Sequence, residues 1–572
     1  MPSSRHEGFA RRSWGGERAT LAVLVLVVSL LSVAPLARLL VAGIAPGGTI
    51  DLSVLARALD APATWRAARH TLETGVAATL LGTVLGGAGA GLIALTDVRL
   101  KAALVFCLLL PLMIAPQVMA LSWTQVMGPN SALLRLVGLA PAPGAPNPLH
   151  SREGIILLLG IHHAPLVFLA LRAGLRALPR ELVEAAQASG AGPWQILRTV
   201  VGPLMGPALV AGAALAFVSS IGNFGIPALL GIPGGYTVLT TLIYQKLAGF
   251  GPAVLAEVAA LSLVLGLMAT TGVLIQSWIT RRQDVRVVTL GVAQPIWRLG
   301  RWRPVTETTC WLLILLMLGM PLVALITTSV VPAYGVSLRF ANATLEHYHY
   351  VLFDHAATRR ALVNSSSLAG AAAALLMLAT VPLGYFFVWR RSPLLHLLNV
   401  AAELPYALPG VVLAIAMILV FLKPLPLLGL GIYSTPYIIL VAYLARFLTL
   451  ALRPVLSGYL QLDRSLEEAA RMAGAPFGFR LRTVILPLVA PAATAGAMLV
   501  FLTAFNELTV SALLWSSGSE TLGVVLFSLE QAGDSVSAAA VAVVTVAVTL
   551  AIMLVASAFA RHLPRGVLPW QA

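Results

Sequence analysis

Twelve stretches of the chain, each about 20 residues or longer, carry almost no charge, and short polar segments separate them. In the first part they run near residues 20–44, 72–96, 103–127, 154–175, 203–224 and 253–279. In the second they run near 309–332, 362–388, 396–422, 434–455, 487–510 and 534–559. Leu, Val, Ala, Ile and Gly follow one another without the alternation of a half-buried strand or the one-sided stripe of a surface helix. Each stretch therefore reads as a helix that is apolar all round and long enough to cross a bilayer. The pattern predicts an all-α polytopic membrane protein with about twelve transmembrane helices.

One of the polar segments is written twice. Glu184-Ala185-Ala186, Gly190, Arg198-Thr199, Pro203 and Pro207 recur 284 residues later as Glu468-Ala469-Ala470, Gly474, Arg482-Thr483, Pro487 and Pro491. Self-similarity of this kind sets the architecture. It divides the chain into two homologous halves, 1–285 and 306–572, joined by a polar linker at 286–305. In each copy Glu and Ala favour helix, Gly stands where a helix ends in a left-handed residue, and Pro opens the next span. The expected local structure is a short helix, a glycine break, a second short helix and then a span. Leu182 with Leu197, and Leu466 with Leu481, are placed to pack the two short helices together. One copy alone reads as an ordinary helix–turn–helix connection. Two copies at identical internal spacing read as docking elements, over 178–203 and 462–487.

Composition narrows the class further. The chain is 59% hydrophobic and 10% charged, against about 25% charged in soluble domains. Its formal charge of +15 lies in arginine clusters at span ends, the bias that orients helices during insertion. That bias assigns the N-terminus and segments 97–102, 176–202, 280–308, 389–395, 456–486 and 560–572 to the cytoplasm, both repeated segments included. No basic stripe with interleaved aromatics is present, which argues against nucleic acid as a partner. Arg5, Arg11, Arg12 and Arg18 precede an apolar run from Leu21 to Ile44. A signal peptide has a shorter apolar region of roughly 7–15 residues, so an uncleaved first helix is expected. Cys107 and Cys310 both fall in apolar spans and read as small buried hydrophobes. The lysines are Lys101, Lys246 and Lys423, and none follows a glycine. The chain thus lacks the Gly-Lys-Ser/Thr of a phosphate-binding loop and is expected to be no enzyme, to need no cofactor, and to depend on a separate ATPase.

At the repeated segments the chain resembles the permease subunits of binding-protein-dependent ABC importers. Their signature is Glu-Ala-Ala, a Gly six residues after the Glu, and Leu-Pro about thirteen further on. Glu184, Ala185, Ala186, Gly190 and Pro203 match it, as do Glu468, Ala469, Ala470, Gly474 and Leu486-Pro487; the first copy departs at Gly202, where the family has Leu. The resemblance implies a type I importer permease fold in the bacterial inner membrane, with the N-terminus in the cytoplasm. It also implies two ABC ATPase copies seated on the two loops and a periplasmic binding protein at the outer mouth. A fused double permease with Asn223-Phe224-Gly225-Ile226-Pro227 in one half and Asn506-Glu507-Leu508-Thr509 in the other looks like the ferric-iron group. Related groups carry thiamine, polyamines, 2-aminoethylphosphonate, sulfate or molybdate. A secondary transporter of two six-helix halves also fits the span count, but it gives no account of the matched loops.

Ionisable residues inside spans are unfavourable by about 2.5–3.5 kcal/mol on insertion scales, so each calls for a reason. His162, His163 and Arg446 read as ties between helices. Asn223, Glu403, Asn506 and Glu507 are candidates for the substrate pathway. A carboxylate at Glu507 offers oxygen to a hard cation, against the simpler reading of a helix-end residue; no residue is assigned as a metal ligand. Pro111, Pro116, Pro405 and Pro409 leave backbone carbonyls free, either by plain kinking or at a helix break beside a pathway.

Overall fold

The computed structural model describes residues 3–45, 49–142, 144–249, 254–282, 296–390, 392–424, 429 and 431–559. Half of the expected linker, 286–295, lies outside the described residues, as do Arg391, Arg561 and Arg565. Among the described residues, ten helices are long and apolar enough to cross a membrane: Gly16–Ile44, Pro62–Leu95, Arg152–Arg176, Pro193–Gly222, Val254–Ile279, Gly300–Ser329, Ala356–Trp389, Pro436–Leu460, Phe477–Phe505 and Ser535–Val555. Two further helix pairs, Lys101–Met113 with Pro116–Leu136 and Pro393–Ala407 with Gly410–Phe421, each count as one bent span and bring the total to twelve. We number these spans 1 to 12 in chain order. Among the described residues the one extended pairing is an isolated bridge between Thr96 and Trp297.

Spans 3 and 9 are bent by 100° and 109°, far more than a kink. The cause is local. A residue before proline is pushed to extended backbone, and Ala115 before Pro116 and Leu408 before Pro409 have ψ of 136° and 148°. Proline also brings no N–H to continue the helical ladder.

The contacts divide the chain into two compact units that do not follow chain order. One comprises Met1–Leu52, Arg360–Leu522 and Leu550–Leu568; the other comprises Ser53–Arg359, Gly523–Thr549 and Pro569–Ala572. Within the first unit the Ala34–Ile44 part of span 1 packs on Gly410–Phe421 of span 9. Within the second, Met320–Ser329 of span 7 packs on Pro116–Met127 of span 3. The opening helix of each half therefore lies on the other half's broken span, so the sequence repeats and the packing units partition the chain differently.

The core of each unit repeats one close helix crossing. A Cβ at Gly212 would sit 3.0 Å from Val167 Cα, and one at Gly496 would sit 3.2 Å from Ala451 Cα and 2.7 Å from its carbonyl oxygen. Positions 167 and 451 are related by the same 284-residue offset. Glycine is required there because the backbones of spans 4 and 5, and of 10 and 11, are in contact; small residues permit such approach in membranes. Gly496→Ala is expected to cost about 1–3 kcal/mol by overpacking. Thermal melting of the purified protein should show it, while Gly192→Ala, where a Cβ meets nothing within 4 Å, leaves the midpoint in place.

Candidate functional site

The two repeated loops fold alike. Arg180–Ala188 and Ser465–Met472 are short helices, and each ends at a glycine in the left-handed region, Gly190 at φ +81° and Gly474 at φ +78°. Behind each glycine the chain closes the helix end. Ala191 N–H donates to the Ala186 carbonyl at 3.0 Å, and Ala475 N–H to the Ala470 carbonyl at 3.1 Å. This six-to-one closure, with glycine at the left-handed position, is the Schellman arrangement. It explains Gly six residues after Glu in both copies. At the second loop's entry, the Asp463 carboxyl is held below its ordinary value, chiefly by the Ser465 N–H it accepts.

The expected second short helix is continuous with the following span. Pro193–Ile196 and Phe477–Arg480 run into wide turns, in which Gly202 N–H donates to the Leu197 carbonyl and Leu486 N–H to the Leu481 carbonyl. Gly202 and Leu486 thus occupy the same geometry, and the departure at Gly202 leaves the backbone unchanged. Leu182 and Leu466 do not pack the short helices together: they are 45% and 49% exposed, on the outer side of the turn. What anchors the loops instead is Ile196 in the first and Phe477 with Arg480 in the second, all buried.

Glu184, Ala185, Glu468 and Ala469 are exposed, Ala186 and Ala470 half-buried. Around them Trp194, Met472 and Phe479 also face outward. Large apolar side chains gathered on a polar loop mark an interaction surface. The Arg464–Glu468 pair, 3.0 Å apart and half-exposed, contributes little to stability.

Sequence reading missed how the second loop is held. Glu467 and Arg480, 3% and 1% exposed, form an ion pair at 3.1 Å. Tyr385 hydroxyl donates to Glu467 at 3.4 Å, and Phe477 lies edge-on to Tyr385. Arg480 also reaches Glu17 at 3.8 Å, and Arg390 Nε donates to the same carboxylate at 2.8 Å. Two carboxylates and two guanidinium groups thus balance in a largely buried cluster; removing one member of such a cluster costs about 3–5 kcal/mol. At the turn between spans 2 and 3 of the first half, Asp97 pairs with Arg303 from the start of span 7, and the Arg99 N–H donates to Glu307 at 2.8 Å. The Leu299 N–H, donated at 2.9 Å, and then Arg303 hold the Asp97 carboxyl below its ordinary value.

Three candidate pathway residues lie at helix ends and bond the backbone there. Asn223 Oδ1 accepts from Ile226 N–H at 3.1 Å where span 5 ends. At the same place after span 11, the Glu507 carboxylate accepts from Val510 N–H at 2.8 Å and Ser511 N–H at 3.1 Å. Asn506 donates to the Leu502 carbonyl at 3.0 Å. Glu403 sits half-buried on the first limb of span 9, with no hydrogen bond or ion pair to Glu507 among the described residues. Among those residues no group of three or more His, Cys, Asp or Glu is placed to hold a metal ion. His163 Nδ1 bonds Ser220 at 3.0 Å, tying span 4 to span 5. His162 faces the Pro111 carbonyl left over at the span 3 bend. Its counterpart Arg446 lies against the span 9 bend, where a Cβ at Gly410 would collide with the guanidinium; its Nη1 is buried without a hydrogen-bond partner.

Comparison with known proteins agrees with this architecture. The family model for the binding-protein-dependent transport system inner membrane component matches twice, at residues 78–289 and 380–569. These two matches cover more than half of the chain, which belongs to that family as a multi-pass ABC importer permease with two fused copies of the domain. A probable ABC transporter permease protein of Sinorhizobium fredii is 29% identical over 416 residues, 70% of each chain. A ferric transport system permease protein of Actinobacillus pleuropneumoniae is 26% identical over 463 residues, 78% of this chain and 64% of the relative. A molybdenum transport system permease protein of Azotobacter vinelandii is 31% identical over 168 residues, 29% of this chain and 72% of the relative.

Replacing Gly190 or Gly474 by Ala is expected to cost about 1–2 kcal/mol, the strain of a left-handed non-glycine residue, and Asn should cost less than Ala. Limited proteolysis at the two loops is the measurement: cleavage should be faster in the Ala variants and intermediate in the Asn variants.

Proposed function

We propose that this chain is the translocation subunit of an ATP-driven importer in the bacterial inner membrane, with its N-terminus and both Glu-Ala-Ala loops in the cytoplasm. Separate ATPase subunits, one copy per loop, hydrolyse the ATP. A periplasmic binding protein delivers the cargo to the opposite face. The observation that carries this reading is the repetition of one exposed loop geometry, with the same glycine closure and the same wide turn into spans 5 and 11. Closure of the ATPase pair would press on both loops, and the continuous helix behind each loop passes the displacement to the crossings at Gly212 and Gly496.

Ferric iron is the first cargo to test, on the similarity to a ferric permease along most of the chain. Each Glu507 oxygen accepts one backbone N–H and keeps a further lone pair, so a cation there would share the carboxylate with the helix start. A second reading, cargo bearing anionic oxygen such as molybdate or a phosphonate, is favoured by the unpartnered Arg446 Nη1 at the span 9 bend. Uptake into vesicles holding the permease, its ATPase and its binding protein separates the two. Ferric iron should accumulate with ATP, and accumulation of molybdate alone would favour the second.

Glu184→Lys and Glu468→Lys are expected to reduce ATPase copurification and uptake by about tenfold each, the scale of one buried hot-spot contact, with membrane insertion unchanged. Full copurification and uptake in both variants would contradict docking at the loops.

A further inference from the structure

We propose that Glu17, Arg390 and Arg480 are positioning residues that fasten the second Glu-Ala-Ala loop to the cytoplasmic end of span 1, a buried ionic fastening without a counterpart at the first loop among the described residues. The inference rests on the reading of these loops as ATPase contacts and deepens it. Glu467 lies in the loop helix beside Glu468, so the buried Glu467–Arg480 pair holds the helix that carries the docking face. Arg480 and Arg390 share the Glu17 carboxylate, at 3.8 Å and 2.8 Å. Arg390 follows the end of span 8, and Glu17 belongs to the helix that continues into span 1. Span 1 in turn packs by Ala34–Ile44 against the second limb of broken span 9. A displacement of the second loop therefore has an ionic route to the broken span of its own half, besides the helix running into span 11.

The first half builds the comparable clasp only in part. Arg303 and Glu307 of span 7 hold the turn between spans 2 and 3, through Asp97 and the Arg99 N–H. The signs are reversed relative to Glu17 and Arg390, but the place is the same. At the positions matching Glu467 and Arg480, the first loop has Val183 and Ile196, side chains that carry no charge. Its seat is the apolar packing of Ile196. A cluster serving only general stability has no reason to single out one of two loops that otherwise share a backbone.

The test uses the full-length chain with Cys107 and Cys310 replaced by Ala, and spin labels at Gly478→Cys or, separately, at the matching Trp194→Cys. Glu17→Gln should narrow the resonance lines at 478 and leave those at 194 unchanged. Arg390→Gln should do the same, and the double variant should add nothing, because both changes break one cluster. With ATPase and binding protein present, Glu17→Gln should keep the ATPase bound yet lower uptake by about fivefold or more, the range of an ordinary coupling energy. Unchanged lines at 478, or equal narrowing at 194, would overturn the proposal. Should Glu17→Gln fail to insert, Glu17→Asp, which keeps the charge but shortens the reach, is judged by the same two lines. Label mobility is read without the ATPase, so a failure of docking at the loops would leave this result standing by itself.

Discussion

A backbone N–H or carbonyl in hydrocarbon has no water to bond, so every interruption of a membrane helix must be answered by another group of the chain. This chain interrupts its helices at matching places in both halves. The helices of spans 3 and 9 break at their bends, where His162 lies by Pro111 and Arg446 by Gly410. The ends of spans 5 and 11 leave helix-start N–H groups, and Asn223 and Glu507 accept them. Polar residues that look like transport chemistry in the sequence are thereby committed first to backbone repair. The Arg446 Nη1 is buried without a hydrogen-bond partner among the described residues.

Much of this was legible. Apolar run length gave the spans, and the duplicated Glu-Ala-Ala segment gave the halves. The glycine six residues later foretold a left-handed helix end, found at Gly190 and Gly474. Other features depend on distant partners and escaped. A proline pair signals a kink, but not how far the extended residue before it, Ala115 or Leu408, turns the chain. The outward turn of Leu182 and Leu466 could not be read from helical spacing, because nothing in the loop says which side the membrane spans occupy. Glu467 stands beside the motif residue Glu468 and carries no sequence mark of burial. Its burial depends on Arg480, thirteen residues on, and on Tyr385 and Glu17, far away in sequence. Glu507 resembled a ligand because the donors it serves, the Val510 and Ser511 N–H groups, are placed only once the helix restarts.

The halves are equal in backbone and unequal in wiring. Both loops present an exposed acid, small residues and an outward aromatic, Trp194 or Phe479, so both are suited to the same partner. Behind that shared surface, one loop is seated by aliphatic packing and the other by a charge cluster shared with span 1. Burying four charges is a costly way to hold a loop, and it makes sense where position matters more than stability. On the proposed docking, the ATPase would push on elements of different stiffness, an arrangement that fusing the halves into one chain makes possible.

Photo-crosslinking from the two loops tests the central claim most directly. A photoreactive residue in place of Trp194, and another in place of Phe479, would be illuminated in the assembled transporter. Docking at both loops predicts an adduct with the ATPase from each position. An ATPase that copurifies with the permease but forms no adduct from either position would contradict it.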